Sequence, residues 1–368
     1  MGKTEESGDV GGNRSKSDRN PFSSEQGLRR TRVPKTNPRT VGFPVKPEPG
    51  LLIGLRRFID GRRIEAAVPL QLRRMGVVAS YGERLGGLTN QNYKLYVGGQ
   101  AHVLRLPGRG TGRFINRSTE RANQEAAAKA NFTISSIFFD GRTGVKITPY
   151  LSEARALDPA SARDPERAAA VAALLSRFHS SAIRFVNDFN VFKLAGIYER
   201  VARSRFARFF EGYPQIRARI LALERPLASI AGEKVACHND LVPENILETR
   251  DGLTLIDWEY SGMNDPAWDI ASFTLESGFD AAQDRSFIAT YSGGLAPPRL
   301  RLRVEAFRLL QDFLWSLWSL LQETASRDPD KARSYREYGQ DRFDRAISRL
   351  SQVESKFGLS KAGEAVKK

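Results

Sequence analysis

Between Val235 and Asp257 the chain abandons the helical spacing that surrounds it. Short apolar runs, V-A-C, N-I-L and L-T-L-I-D, alternate with polar loops and a D-G turn. Helical patterns precede it at Asp164 to Ser180, Phe192 to Phe210 and Tyr213 to Ile230, and follow it at Phe287 to Tyr291, Pro298 to Thr324 and Asp328 to Val353. A hairpin-like insertion set among helices has to pack on them, so it constrains the fold more than any other segment. Asp164-Pro165 and Asp328-Pro329 mark helix starts, each a capping carboxylate followed by proline at the first helical position.

Upstream, the pattern is that of strands. V-V-A-S-Y, N-Y-K-L-Y-V and A-H-V-L-R-L alternate, and Gly98-Gly99 separates the last two as a hairpin turn. Asn116 to Ala130 reads as a helix with Ser118 or Thr119 near its start, and Ile134 to Tyr150 as two short strands around Asp140-Gly141. The expected class is α+β with two lobes, residues 51–150 a small antiparallel-sheet lobe and residues 151–353 a larger, mainly helical one. Residues 1–50 are too poor in aliphatic side chains to offset the cost of ordering and are expected to be a disordered basic tail. Phe58 to Leu72 suggests one or two short helices, and residues 354–368 a polar tail.

The insertion carries chemistry. H-N-D-L-V-P-E-N-I-L places Asp240 and Asn245 five apart in a loop, and L-I-D-W-E-Y places Asp257 twelve residues later at a strand end. This spacing matches a phosphoryl-transfer site. Asp240 is the candidate that accepts a proton from the attacking hydroxyl. Asn245 and Asp257 are the candidates to hold Mg²⁺ against nucleotide phosphates, since that ion prefers oxygen ligands and shares them with phosphate. His238 reads as an interior residue bracing the loop. In the small lobe, Gly86 and Gly87 let backbone approach phosphate, Thr89, Asn90 and Asn92 offer polar contacts, and Arg105 offers positive charge.

These residues resemble the aminoglycoside phosphotransferase and choline kinase superfamily, which shares the protein-kinase-like fold. The likeness sharpens to the choline/ethanolamine kinase family, including its bacterial members. G-G-L-T-N-Q-N-Y resembles that family's nucleotide loop, V-L-R-L-P-G its strand with a basic residue for the phosphates, and Ile256 to Ile270 its second signature. The resemblance spans about residues 60–350. It implies an ATP- and Mg²⁺-dependent kinase of a small amino alcohol. It also implies a carboxylate partner for Arg105, with Glu120 the better match and Glu125 the alternative, and an interlobe link at Thr148 to Ser152 that meets adenine through its backbone. Two departures stand out: Val242 replaces the glutamine of eukaryotic choline kinases, as in the bacterial branch, and the small-lobe helix ends in A-K-A-N-F rather than Leu-Gly.

The stretch F-L-W-S-L-W-S bears on the acceptor. Phe307, Leu310, Leu314, Leu317 and Leu321 form one apolar stripe, and Gln311, Trp315, Trp318 and Gln322 a second beside it. Leucines alone thus supply a core face, and the tryptophans suit a cleft wall. A quaternary ammonium donates no hydrogen bonds and is held by aromatic faces, at about 2 kcal/mol for each desolvated cation–π contact. The family resemblance assigns such a box to Trp315, Trp318, Tyr260, Tyr338 and Glu276.

Other classes find less support. No run of apolar residues is long enough for a membrane helix, and the one cysteine, Cys237, allows no disulfide framework. A cytoplasmic enzyme is expected. The net charge is +15, of which residues 1–75 carry +8, from 16 basic and 8 acidic residues. That tail lacks the aromatic interleaving of single-strand binders, so it gives no firm nucleic-acid signal. The competing readings are a kinase of ethanolamine, thiamine or an aminoglycoside, which an acceptor screen separates, and a silent kinase-like binding protein, against which the complete Asp240, Asn245 and Asp257 set argues.

Overall fold

Alternating side chains build the first lobe. Strands β1 (Ala79–Leu85), β2 (Gln91–Val97), β3 (Gln100–Leu106), β4 (Phe138–Phe139) and β5 (Lys146–Pro149) form one antiparallel sheet in the order β1-β2-β3-β5-β4. Leu95 and Leu104 are fully buried on it, and the register sets Arg105 opposite Lys146. Helix α1 (Arg117–Lys129) follows β3 and starts at Asn116, whose side-chain oxygen accepts from the backbone N–H groups of Ser118 and Thr119, both at 3.1 Å.

This computed structural model describes residues 79–359 apart from 88, 98 and 109. The expected tail at 1–50, the short helices before residue 75, Gly98 of the hairpin turn and residues 360–368 lie outside the described residues.

The second lobe is helical, with the expected insertion. Its helices are α2 (Pro159–Ala162), α3 (Pro165–His179), α4 (Val191–Ser204), α5 (Tyr213–Ala222), α6 (Glu224–Ser229), α7 (Ala267–Glu276), α8 (Ala281–Tyr291), α9 (Pro298–Ala325) and α10 (Pro329–Lys356). Strands β6 (Arg155–Ala156), β8 (Ile246–Thr249) and β9 (Gly252–Leu255) form a small sheet, and β7 (Val235–Cys237) pairs with β10 (Gly262–Asn264). The fold is thus α+β and two-lobed, as expected. No helix among the described residues is long and apolar enough to cross a membrane.

Several boundaries differ from the sequence reading, each for a local reason. The helix expected to reach Phe210 stops at Ser204, and Phe206 turns out with φ 56° and is almost wholly exposed. The helix expected over Tyr213 to Ile230 breaks at Leu223. Pro226 has no N–H for the carbonyl of Ala222, so the ladder cannot pass that point. The last helix runs to Lys356, three residues into the expected polar tail. The link expected at Thr148 begins later, because Thr148 and Pro149 still pair with β3.

Helix α9 is the axis of the second lobe, and α10 packs along it. Every residue from Leu309 to Leu321 is buried, so the two-stripe reading is corrected: this helix has no solvent face there. Gln311 is interior, donating from Nε2 to the Trp268 carbonyl at 2.9 Å. Ser316 and Ser319 satisfy themselves on carbonyls one turn back, at 2.7 Å each. Gly339 on α10 makes the close approach: a Cβ there would fall 1.8 Å from Ser319 Oγ. That closeness brings Tyr338 beside Trp318.

Candidate active site

The loop that carries Asp240 is held from behind. Asn239 sits at φ 66° and Asp257 at φ 64°, two of the four non-glycine residues with positive φ among those described. A left-handed residue costs energy unless its surroundings fix it. The surroundings here are a buried carboxylate and two amides. Asp269, on α7, accepts from the backbone N–H of His238 at 2.7 Å and of Asn239 at 2.8 Å. Asn239 donates from its side chain to the Tyr260 carbonyl at 3.0 Å and accepts from Asn264 Nδ2 at 2.8 Å. His238 is fully buried and donates from Nε2 to the carbonyl of Ile256 at 2.8 Å. Burial lowers the pKa of its imidazole, which favours the neutral form. His238 thus braces the loop, and through Ile256 it ties that loop to the segment of Asp257.

Cys237, His179 and Asp269 also meet, their ligand atoms within 4.8 Å of one another. Each is already engaged. His179 contacts Tyr291 Oη at 2.9 Å and Asp269 at 3.2 Å, and Cys237 Sγ lies 3.6 Å from the Asn264 carbonyl. Burial raises the Cys237 thiol well above its ordinary range, which favours the protonated form. This cluster reads as part of the bracing.

Asp240 itself is only partly buried. Its desolvated setting, then the charges of Asp257, Glu259, Glu276 and Asp269, push its carboxyl well up. Asn245 donates from Nδ2 to the Asp240 carbonyl at 2.8 Å, which fixes its amide and turns its oxygen away from that bond. The Asn245 carbonyl in turn accepts from Ile256 N at 2.9 Å. Asn245 and Asp257 are therefore joined through one backbone bond. Their donors are all oxygen, a set that suits a hard cation such as Mg²⁺.

The small lobe reaches this site through charge. Arg105 Nη1 binds Glu120 and Asp257 Oδ1, the latter at 3.1 Å. Glu120 is the partner: Glu125 is exposed and pairs with Arg121 at 3.4 Å. Asn90 Nδ2 reaches Asp257 at 3.3 Å and Glu259 at 3.0 Å, so it faces carboxylates across the cleft. Asn92 braces its own loop by donating to the Gly86 carbonyl at 2.9 Å, and Thr89 is half-buried in the turn. Gly87 has φ 139°, and a Cβ there would lie 2.6 Å from the Asn90 carbonyl oxygen, so the turn requires glycine.

The sequence reading missed three members of this network, Arg117, Lys146 and Glu259. Arg117 donates from Nη1 to Glu120 at 2.7 Å and Glu259 at 3.0 Å. Lys146 lies 3.7 Å from Glu120 and donates to Gln124 Oε1 at 2.8 Å. Burial alone would raise the Glu120 carboxyl, but Arg105, Lys146 and Arg117 outweigh it and hold it down at about 2. Lys146 is lowered to about 8, first by burial and then by the charge of Arg105, against the pull of Glu120, Asp257 and Glu259. A sign follows. Between about 8 and the ordinary lysine value of 10.5 the unfolded chain holds a proton that the folded chain lacks, so stability rises with pH across that window. Lys146→Met is expected to be about 1–3 kcal/mol more stable than the native protein at pH 7, with the gap closing toward pH 10.5. Urea unfolding at both pH values checks this, and parallel stability curves would refute it.

The expected acceptor residues do come together. Trp315 packs edge-on against Tyr260 at 5.4 Å and against Trp318 at 6.5 Å, and Trp318 against Tyr338 at 6.2 Å. Trp315 and Trp318 keep 7% and 8% exposure where Leu314 and Leu317 keep none, so the rings lie at the boundary of the core. Three further residues complete the cluster without having been read from sequence. Tyr335 packs on Trp318 at 5.8 Å, Tyr198 bonds Tyr260 through their hydroxyls at 2.9 Å, and Arg342 binds Glu276 at 2.5 and 2.6 Å. Tyr338 and Arg342 lie in E-Y-G-Q-D-R-F-D, four apart and thus on one helix face, which was the available signal.

Comparison with known proteins points the same way. The family model described as choline/ethanolamine kinase matches residues 83–292. A protein of Haemophilus influenzae called LicA is 30% identical over 281 residues, 73% of this chain and 79% of that one. The crystal structure of choline kinase LicA from Streptococcus pneumoniae superposes with a TM-score of 0.68 at 30% identity, covering 79% of this chain and 100% of that chain. A structure of LicA in complex with AMP has the same TM-score and identity and covers 80% of this chain and 100% of that chain.

Proposed function

The chain belongs to the choline/ethanolamine kinase family, and from that premise we propose that it transfers the γ-phosphate of ATP, with Mg²⁺, to the hydroxyl of choline or a closely related amino alcohol. As a member of that family it is a phosphotransferase with an alcohol group as acceptor. The observation that carries the finer reading is the position of Tyr260. It lies three residues after Asp257 and packs on Trp315, so the candidate reacting end and the aromatic cluster meet in one short segment.

In this reading Asp240 orients the acceptor hydroxyl and takes its proton. Its raised carboxyl has a proton affinity closer to that of its task than a free aspartate has. Asn245 and Asp257 would hold Mg²⁺, which when bound supplies positive charge to the phosphates. Arg105, steadied by Glu120, supplies further charge from the small-lobe side, and Gly87, Thr89, Asn90 and Asn92 shape the loop over the nucleotide. A relative's complex with AMP supports nucleotide binding by this chain. The box of Trp315, Trp318, Tyr260 and Tyr338, with Glu276 at its edge, receives the cationic head of the acceptor.

The test is an ATP-dependent phosphorylation screen over choline, its less methylated analogues, thiamine and aminoglycosides. Choline is expected to lead, and equal rates with and without it would refute the reading. Trp315→Leu keeps an apolar side chain but removes a ring face. It is expected to raise KM for choline by about 10- to 30-fold, the equivalent of roughly 2 kcal/mol, with KM for ATP unchanged.

A further inference from the structure

We infer that Arg342 sets the acceptor preference of this site by withholding Glu276 from any hydrogen-bonding ammonium group. The inference rests on the acceptor reading above and sharpens it. Arg342 is 3% exposed and stands between the aromatic cluster and two carboxylates. Its Nη2 binds both oxygens of Glu276, at 2.5 and 2.6 Å, and its Nη1 binds Asp312 at 3.0 Å. Its guanidinium also lies over the ring of Tyr338, 5.1 Å from the centroid, so the protein's own cation already covers that ring face.

Through Arg342, Glu276 is linked to the ring of Tyr338 and so lies at the edge of the aromatic cluster. Its charge is among those felt by Asp240 and Glu244, and its side chain keeps 16% exposure. A free carboxylate at that place would offer what a primary ammonium needs, because such a head carries N–H donors that must be paired when water is removed. Arg342 binds both of its oxygens and balances its charge, which makes it a weaker acceptor for an incoming N–H donor. What the incoming head then meets is chiefly the aromatic surface of the box, Trp315, Trp318 and Tyr260 foremost. A quaternary ammonium loses only charge attraction by this, since it has no donor to satisfy, whereas each loss of a methyl group uncovers a donor that must be paired. The same residue therefore rewards methylation without touching the methyl groups.

Removal of Arg342 leaves the fold its main supports. Asp312 is fully buried but also meets Arg349 at 3.0 Å and Arg345 at 3.6 Å, so it keeps two cationic partners. Glu276 is the group set free.

The experiment is kcat/KM along the series ethanolamine, its N-methyl and N,N-dimethyl forms, and choline, for the native protein, Arg342→Met and Arg342→Lys. The native protein is expected to improve with each methyl group. Arg342→Met is expected to lower the choline-to-ethanolamine ratio by about tenfold, and Arg342→Lys by about threefold, since an ammonium is a point charge that leaves part of Glu276 open. KM for ATP stays unchanged in both, which a general loosening of the lobe would not allow. A native protein that shows no gain with methylation overturns the acceptor reading itself. A native preference for choline that Arg342→Met keeps unaltered overturns the inference and leaves the acceptor reading standing. Should Arg342→Met fail to fold, Arg342→Lys decides alone: a lowered ratio supports the inference, and an unaltered one ends it.

Discussion

Asp240→Ala is expected to lower kcat by about 10³-fold or more, with KM for ATP within about threefold of native. The backbone argument makes this a clean test. Asn245 Nδ2 and Val242 N both bond the Asp240 backbone oxygen, at 2.8 and 3.0 Å, so neither bond depends on the side chain removed. His238 and Asn239 are pinned by Asp269, also untouched. The loop should therefore keep its shape, and the loss should fall on the chemical step. A second outcome has the opposite sign. The Asp240 carboxyl is pushed up by burial and then by Asp257, Glu259, Glu276 and Asp269, which means that its charged form is unfavourable in the folded state. Deleting it relieves that repulsion, so the variant is expected to melt no lower than the native protein, and somewhat higher near neutral pH. Activity lost while stability holds or rises marks a residue kept for function. Steady-state kinetics and a thermal melt on one preparation check both. Turnover near the native rate would remove Asp240 from the mechanism.

How much of this was legible before the fold was known depends on the range over which each signal acts. Asp240, Asn245 and Asp257 share one loop and hairpin, and their spacing alone predicts that they meet. The strands of the small lobe were legible because each has a face to alternate. Helix α7 was not, because every residue from Ala267 to Thr274 is buried, and a helix with no solvent face has no amphipathic period. The same physics misled the reading of α9, where two stripes were inferred on a helix that is buried all round from Leu309 to Leu321. Its tryptophans nonetheless lie at the boundary, as that reading required, for a reason the helix alone does not contain: the tyrosines of the following helix and Tyr260 close around them.

The cross-lobe network was the least legible part. Arg117 and Glu259 lie 142 residues apart, and nothing local distinguishes either from a solvated surface charge. Lys146 reads as an ordinary strand lysine until the register sets it opposite Arg105. Such pairs follow from topology, which assigns partners only after the sheet order is known. Glu120 was the exception, because the family resemblance asks for a carboxylate on the helix after Arg105, and counting from Ile115 to Arg117 made Glu120 a better match than Glu125.

Asp257→Asn is expected to lower kcat by about 10²- to 10³-fold and to raise the Mg²⁺ concentration needed for half-maximal rate. Asparagine is the informative substitution because of the backbone. Asp257 has φ 64°, a conformation that asparagine tolerates and alanine resists. The change keeps the side-chain shape and removes one negative charge. Arg105 loses one anionic partner at 3.1 Å but keeps Glu120, and Asn90 keeps Glu259 at 3.0 Å, so the contact between the lobes survives on its other members. What disappears is the charged oxygen that a divalent cation prefers over an amide. A readout besides activity is available: Mn²⁺ binding to the nucleotide-loaded protein, followed by its paramagnetic signal, should weaken in Asp257→Asn and remain in Arg105→Lys. If Asp257→Asn retained both native turnover and native Mn²⁺ binding, the metal would have to be held elsewhere, and Glu259, the neighbouring carboxylate on the same segment, would be the group to test. The geometry argues against that outcome, because the Asp257 side chain is 30% exposed and that of Glu259 only 6%.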